Sequence, residues 1–117
     1  MAISVELDKV TGFDWDAGNA RKNDKHGVSA AEAEQVFFNV PLLLLEDAGH
    51  SQQERRLHAL GKTDSGRGLH ISFTLRQLGA LIRVISARDL HRKERAIYDQ
   101  ASKTDSSTRT DIRQRGI

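Results

Sequence analysis

Between Arg56 and Arg88 the chain carries Arg56 and His58, His70 and Arg76, then Arg83 and Arg88. Imidazole exchanges protons near neutral pH, and guanidinium stays charged and grips phosphate oxygens in a planar fork. These groups act together only if they face one way. In the run from Leu69 to Arg76, Leu69, Ile71, Phe73 and Leu75 share one parity and His70, Ser72, Thr74 and Arg76 the other, the period of a half-buried strand. The run from Ala80 to Ala87 is rich in β-branched residues and holds Arg83, with Arg88 just beyond. Gln77, Leu78 and Gly79 lie between the runs, few enough for a hairpin in which Gly79 takes a positive φ. The segment Arg55 to Lys62 adds a strand with Arg56, His58 and Leu60 on one side. If the apolar parity packs on helices, the imidazoles and guanidiniums converge on the opposite face.

Composition limits what that face serves. A chain of 117 residues, 38% hydrophobic, holds one core and one small domain. No apolar run is long enough to cross a bilayer, and Glu6, Asp8 and Lys9 stand where a signal peptide is apolar, so a cytoplasmic location is expected. The absence of cysteine removes disulfides, thiolate nucleophiles and thiolate metal sites. Residues 1–50 carry four Lys/Arg against nine Asp/Glu, and residues 51–117 carry fourteen against seven. One surface is therefore basic, which suits phosphate, another polyanion or an acidic protein partner.

The elements that must position these residues follow in chain order. Met1 to Gly12 is a weakly alternating extension. Phe13-Asp14-Trp15-Asp16 predicts a short strand entering a helix capped by Asp16, and His26-Gly27 ends that polar helix. Ser29 with Glu32 has capping-box spacing, and Ala30, Ala33, Val36 and Phe37 form the apolar stripe of a second helix, stopped before Pro41. Leu42 to Leu45 is a buried strand, Glu46 to His50 an acidic turn. After the hairpin, Asp89 is expected to cap a last helix from Leu90 to about Gln100. Residues 101–117 hold too little apolar surface to offset ordering and are expected to be a disordered basic tail. The fold class is α+β: two N-terminal helices on a mainly antiparallel sheet of four to five strands, with a C-terminal helix closing an end.

The succession FDWD, KHGVS, VFFN, LLLLED, ERRLHALG, GRGLHISFT and IRVISAR followed by R..ER..Y resembles the BrnT family of bacterial toxins across about Phe13 to Tyr98. That resemblance implies a RelE-like domain over residues 13–100 and a metal-independent endoribonuclease that cuts mRNA and arrests translation without a cofactor. It also implies a ribbon-helix-helix antitoxin, the complex of the two binding operator DNA. Cutting RNA without metal needs a proton taken from the ribose 2′-hydroxyl, charge held on the phosphorane and a proton given to the 5′ oxygen. Candidates for catalysis are His26, Arg56, His58, Arg83 and Arg88, and for RNA binding Lys25, His70, Arg76, Arg92 and Arg95.

Each candidate has a plainer alternative. His26 is a proton carrier or part of a helix C-cap, and His58 and His70 are catalytic or belong to a solvated strand face. Arg83 and Arg88 hold phosphate or pair with Glu46, Asp47 or Glu54. Glu54 is a base or an exposed ion-pair partner of its arginine neighbours. Trp15 stacks on a base or packs in the core with Phe13, and Arg92, Lys93, Glu94 and Arg95 form an RNA contact or a solvated helix face. No histidine pair has metal-ligand spacing, GKTDSGRG lacks the order of a phosphate loop, and no Ser-His-Asp order stands out. A non-catalytic nucleic-acid-binding domain, or a domain that only binds its partner, fits the same cations.

Overall fold

The computed structural model describes residues 7–47, 54–104 and 110–111. The elements run β1 (Gly12–Phe13), α1 (Ala17–Asp24), α2 (Ala30–Phe38), β2 (Leu43–Asp47), β3 (Arg56–Lys62), β4 (Gly68–Arg76), β5 (Leu81–Asp89), α3 (Arg92–Thr104) and β6 (Thr110–Asp111). They build an α+β domain on one mixed sheet of order β1-β5-β4-β3-β2-β6. The central pairings β2–β3, β3–β4 and β4–β5 are antiparallel, whereas the two-residue edges β1 and β6 join in parallel. Residues 1–6, residues 48–50 of the expected acidic turn and most of the expected tail lie outside the described residues, while Glu46 and Asp47, expected in that turn, belong to β2. Within the tail, α3 continues to Thr104 and Thr110–Asp111 pair with β2. None of the helices in the described residues is long and apolar enough to cross a membrane.

Local chemistry starts both N-terminal helices. The carboxylate of Asp16 accepts from the backbone N–H of Gly18 and of Asn19, while Asn19 Oδ1 accepts from the backbone N–H of Asp16, a reciprocal cap. Ser29 and Glu32 form a complete capping box. The α2 stripe buries Ala33, Val36 and Phe37 against Leu57, Ala59, Leu69, Ile71 and Phe73 of the sheet. Leu7 and Val10 of the N-terminal extension join that core. At Gly61 a Cβ would sit 2.8 Å from Val36 Cγ1, so α2 rests directly on β3 there. Gly61→Ala is expected to destabilise by about 1–3 kcal/mol through overpacking, read as a lower urea midpoint at constant m-value.

The opposite face is built differently from its expected form. α3 does not close an end; it lies over β2 and β3, where Tyr98, Ala101 and Ile97 pack with Leu43, Leu60 and Leu90. Tyr98 tolerates this burial because its hydroxyl donates to Pro41 O at 2.8 Å. Nor does Asp89 cap the helix. His91 is the N-cap, its carbonyl accepting from Arg95 N–H at 2.8 Å, while Glu94 reaches back to accept from His91 N–H.

Two irregularities shape the hairpin. The register passes from Ser72↔Ser86 to Phe73↔Val84, leaving Ile85 as an extra residue, a β-bulge. The bulge changes the parity of β5, so Val84 and Ile82 enter the helix-side core and Arg83 shares a face with Arg88. In the turn Gly79 has a positive φ as expected, but so do Gln77 (φ 56°) and Leu78 (φ 57°), and Leu78 is fully exposed. A non-glycine side chain is strained there, so Leu78→Gly is expected to raise stability by about 0.5–1 kcal/mol, seen as a higher melting temperature.

Candidate active site

The register of β3, β4 and β5 sets the polar residues in rows across the face opposite α2. His58 stands opposite Ser72, and Ser72 opposite Ser86; the next row runs Leu60, His70, Arg88. β2 extends the face, since Asp47 pairs with Arg56 and Leu45 with His58.

Two lines of contact meet in the middle. His58 Nε2 is 2.8 Å from Asp47 Oδ2, and His58 Nδ1 is 3.0 Å from Ser72 Oγ. With the ring neutral and Asp47 ionised, this network assigns the proton to Nε2 and leaves Nδ1 accepting from the Ser72 hydroxyl. The rings of His58 and His70 lie 4.7 Å apart, tilted by 44°. His70 Nε2 stands 3.8 Å from Glu94 Oε2. Arg88 clamps Glu94 in a fork, Nη1 donating to Oε1 at 2.8 Å and Nη2 to Oε2 at 2.9 Å.

The electrostatics follow from that packing. Burial, helped by the Arg88 charge, pushes the His70 imidazole down to about 4 against the partial support of Glu94, so the ring is neutral at physiological pH. Hydrogen bonds from Arg88 and from the backbone N–H of His91 hold the Glu94 carboxyl down at about 2, outweighing its own burial. His70 Nδ1 is buried without a hydrogen-bond partner among the described residues. Such an atom costs on the order of 1–3 kcal/mol, which makes the ring a poor structural choice for its place. Among the described residues no group of three or more His, Asp or Glu side chains is placed to hold a metal ion.

The remaining candidates fall into separate places. Arg56 begins β3, half-buried on the same face. Arg76 and Arg83 share the face but lie toward its far end, where Arg76 Nε pairs with Glu54 at 2.6 Å and Arg83 with Asp16 at 2.9 Å and Asp14 at 3.4 Å. Neither Arg83 nor Arg88 pairs with Glu46, Asp47 or Glu54. Glu46 instead holds Arg55 at 2.6 Å. Arg92 and Arg95 are exposed in the first turn of α3. Lys25 and His26 follow α1 and are exposed, just before the core residue Val28. Trp15 packs against the core and donates to Glu34 Oε2 at 2.8 Å.

Arg67 explains the backbone at His26-Gly27. Its guanidinium donates to Asp89 Oδ1 at 2.7 Å, Glu32 Oε2 at 3.2 Å, Gly27 O at 2.9 Å and His26 O at 3.3 Å, joining the α1–α2 junction to the start of β4 and the end of β5. Arg67→Ala is expected to lower stability by about 1–2 kcal/mol after solvent screening, measured by denaturant unfolding.

Asp47, Ser72, Glu94 and Arg67 are not among the site residues expected from the sequence. Ser72 shares the parity of His70, and Glu94 sits three residues after its N-cap, so both carried a usable signal. Asp47 and Arg67 carried none, because their partners are 11 to 41 residues away.

Comparison with curated proteins finds no match. Comparison with protein families finds one over residues 15–94, more than half of the chain, described as the ribonuclease toxin BrnT of type II toxin–antitoxin systems. That span takes in Asp47, His58, Ser72, His70, Arg88 and Glu94, the whole contact network of the polar face. The chain belongs to the BrnT family of ribonuclease toxins of type II toxin–antitoxin systems.

Proposed function

We propose that this toxin is a metal-independent endoribonuclease of RelE-like fold that cuts mRNA in the cytoplasm and so stops translation. Its partner is a ribbon-helix-helix antitoxin that covers the polar face and carries the complex to operator DNA. The observation that carries the catalytic reading is the pair of adjacent imidazoles beside Arg88 on the sheet face opposite α2. An imidazole takes up the proton that the ribose 2′-hydroxyl loses. The guanidiniums of Arg56 and Arg88 flank it and hold the charge that develops on phosphorus. Arg76 and Arg83, at the far end of the face, and Arg92 and Arg95 on α3 bind phosphates along the strand. Lys25 and His26 stand apart from this network, and the His26 carbonyl accepts from Arg67.

The experiment is cleavage of a defined RNA by purified protein in excess EDTA. Products ending in a 2′,3′-cyclic phosphate and a 5′-hydroxyl are expected, because the neighbouring hydroxyl is the attacking group. Growth arrest on induction with cellular RNA left intact would overturn the reading in favour of a binding domain.

A further inference from the structure

We infer that Asp47 is the positioning residue of the proton carrier His58, and that Ser72 connects the ring to the RNA 2′-hydroxyl. The inference rests on the ribonuclease reading and deepens it by assigning the proton path. Three neighbouring strands supply one side chain each: Asp47 from β2, His58 from β3 and Ser72 from β4. The contacts at 2.8 Å and 3.0 Å use both ring nitrogens. Asp47 and His58 are 13% and 22% exposed, so the carboxylate acts on the ring with little competition from water. A solvated strand face does not require such an alignment, since an exposed imidazole is satisfied by water on both nitrogens.

The chemistry follows from the tautomer. With Nε2–H donated to Asp47, only Nδ1 has a free lone pair, and it faces the Ser72 hydroxyl. As the 2′ oxygen attacks phosphorus, its proton passes to Ser72 Oγ while the Ser72 proton moves to Nδ1. The O2′–P bond forms, the P–O5′ bond breaks, and the 5′ oxygen takes a proton from solvent. The imidazolium returns its own proton to solvent through Ser72, so the ring and the hydroxyl end as they began. Asp47 stays ionised throughout. It holds the ring's orientation and stabilises the transient positive charge, as the carboxylate does in a serine-protease triad.

His70 is the other imidazole at this place, its ring centroid 4.7 Å from that of His58 and tilted by 44°. Its Nδ1 is buried without a hydrogen-bond partner among the described residues, so that nitrogen has no neighbour through which to receive the proton. It serves as an uncharged wall that keeps the His58 ring from tilting away from Ser72.

The test uses the full chain and a short RNA oligonucleotide of defined sequence. His58→Ala is expected to lower kcat on the order of 10²- to 10⁴-fold. Asp47→Asn is expected to lower kcat by roughly 10²-fold or more with KM nearly unchanged, and to move the rising limb of the kcat/KM pH profile to lower pH; Asp47→Glu restores part of the rate. A role confined to folding moves neither the limb nor the KM-against-kcat split. Ser72→Ala is expected to lower kcat as well. Nitrogen-15 spectra of the unaltered protein provide a check independent of any variant's folding, with the His58 proton expected on Nε2. A proton found on Nδ1 overturns the inference, as does full activity in Asp47→Asn or in Ser72→Ala. Cleavage that survives His58→Ala overturns this assignment and leaves the ribonuclease reading standing, whereas intact RNA with the unaltered protein removes both.

Discussion

Lowering the pH from 7 to 4 is expected to remove about 3 kcal/mol of folding stability through His70 alone. Its imidazole titrates near 6.5 when unfolded but at about 4 when folded, because burial and the Arg88 charge disfavour the protonated ring. Between those values the unfolded chain binds more protons, so stability rises with pH. The contribution is complete above about 6.5 and is lost as pH falls through the folded value near 4. The groups facing the ring are His58, Arg88 and Glu94. Glu94 acts in the same direction in a lower window: its stabilisation is present above 4.5 and lost as pH falls through about 2. The measurement is a series of urea melts between pH 7.5 and 4, repeated on His70→Phe, an apolar ring of similar size. The slope between pH 6.5 and 4 is expected to shrink markedly in the variant. An equal slope in both proteins would show that His70 titrates as an exposed ring and does not belong to a partly buried pair of imidazoles.

Arg88→Ala is expected to weaken the protein in two respects at once. Removing the guanidinium leaves the Glu94 carboxylate, only 22% exposed, without its bidentate partner beside a neutral His70. A loss of about 2 kcal/mol follows, a fall in melting temperature on the order of 10 °C. RNA cleavage is expected to fall roughly 10²- to 10³-fold, the size of losing one donor to the developing phosphorane charge. Stability and catalysis separate in the double variant Arg88→Ala/Glu94→Gln, which removes the stranded charge. It should recover most of the melting temperature and none of the cleavage. Recovery of both would mean that Arg88 serves only to neutralise Glu94. Arg83→Ala is the contrasting case. Asp16, one of its partners, is 55% exposed and keeps its own helix cap, so the variant should melt close to the unaltered protein.

What was legible in the sequence was the local part. The period of two in Leu69–Arg76 announced β4 and its two faces, and the Ser29/Glu32 spacing announced α2 and its cap, because both depend on residues a few positions apart. The motif succession from FDWD to IRVISAR likewise pointed to the family that the match over residues 15–94 shows. The tertiary structure decided the rest. Simple alternation places Arg83 and Arg88 on opposite faces, and it is the extra residue Ile85 that brings both onto one. Glu94 read as part of a solvated helix surface until the docking of α3 over β2 and β3 brought it to Arg88 and His70. The Asp47–His58–Ser72 line depends on the register of three strands, and a slip of one residue in either pairing would turn one of its members to the other face. Residue types and strand parity are properties of short stretches of chain. Which carboxylate meets which imidazole is set by register, bulges and helix docking, and these are determined only when the whole core packs.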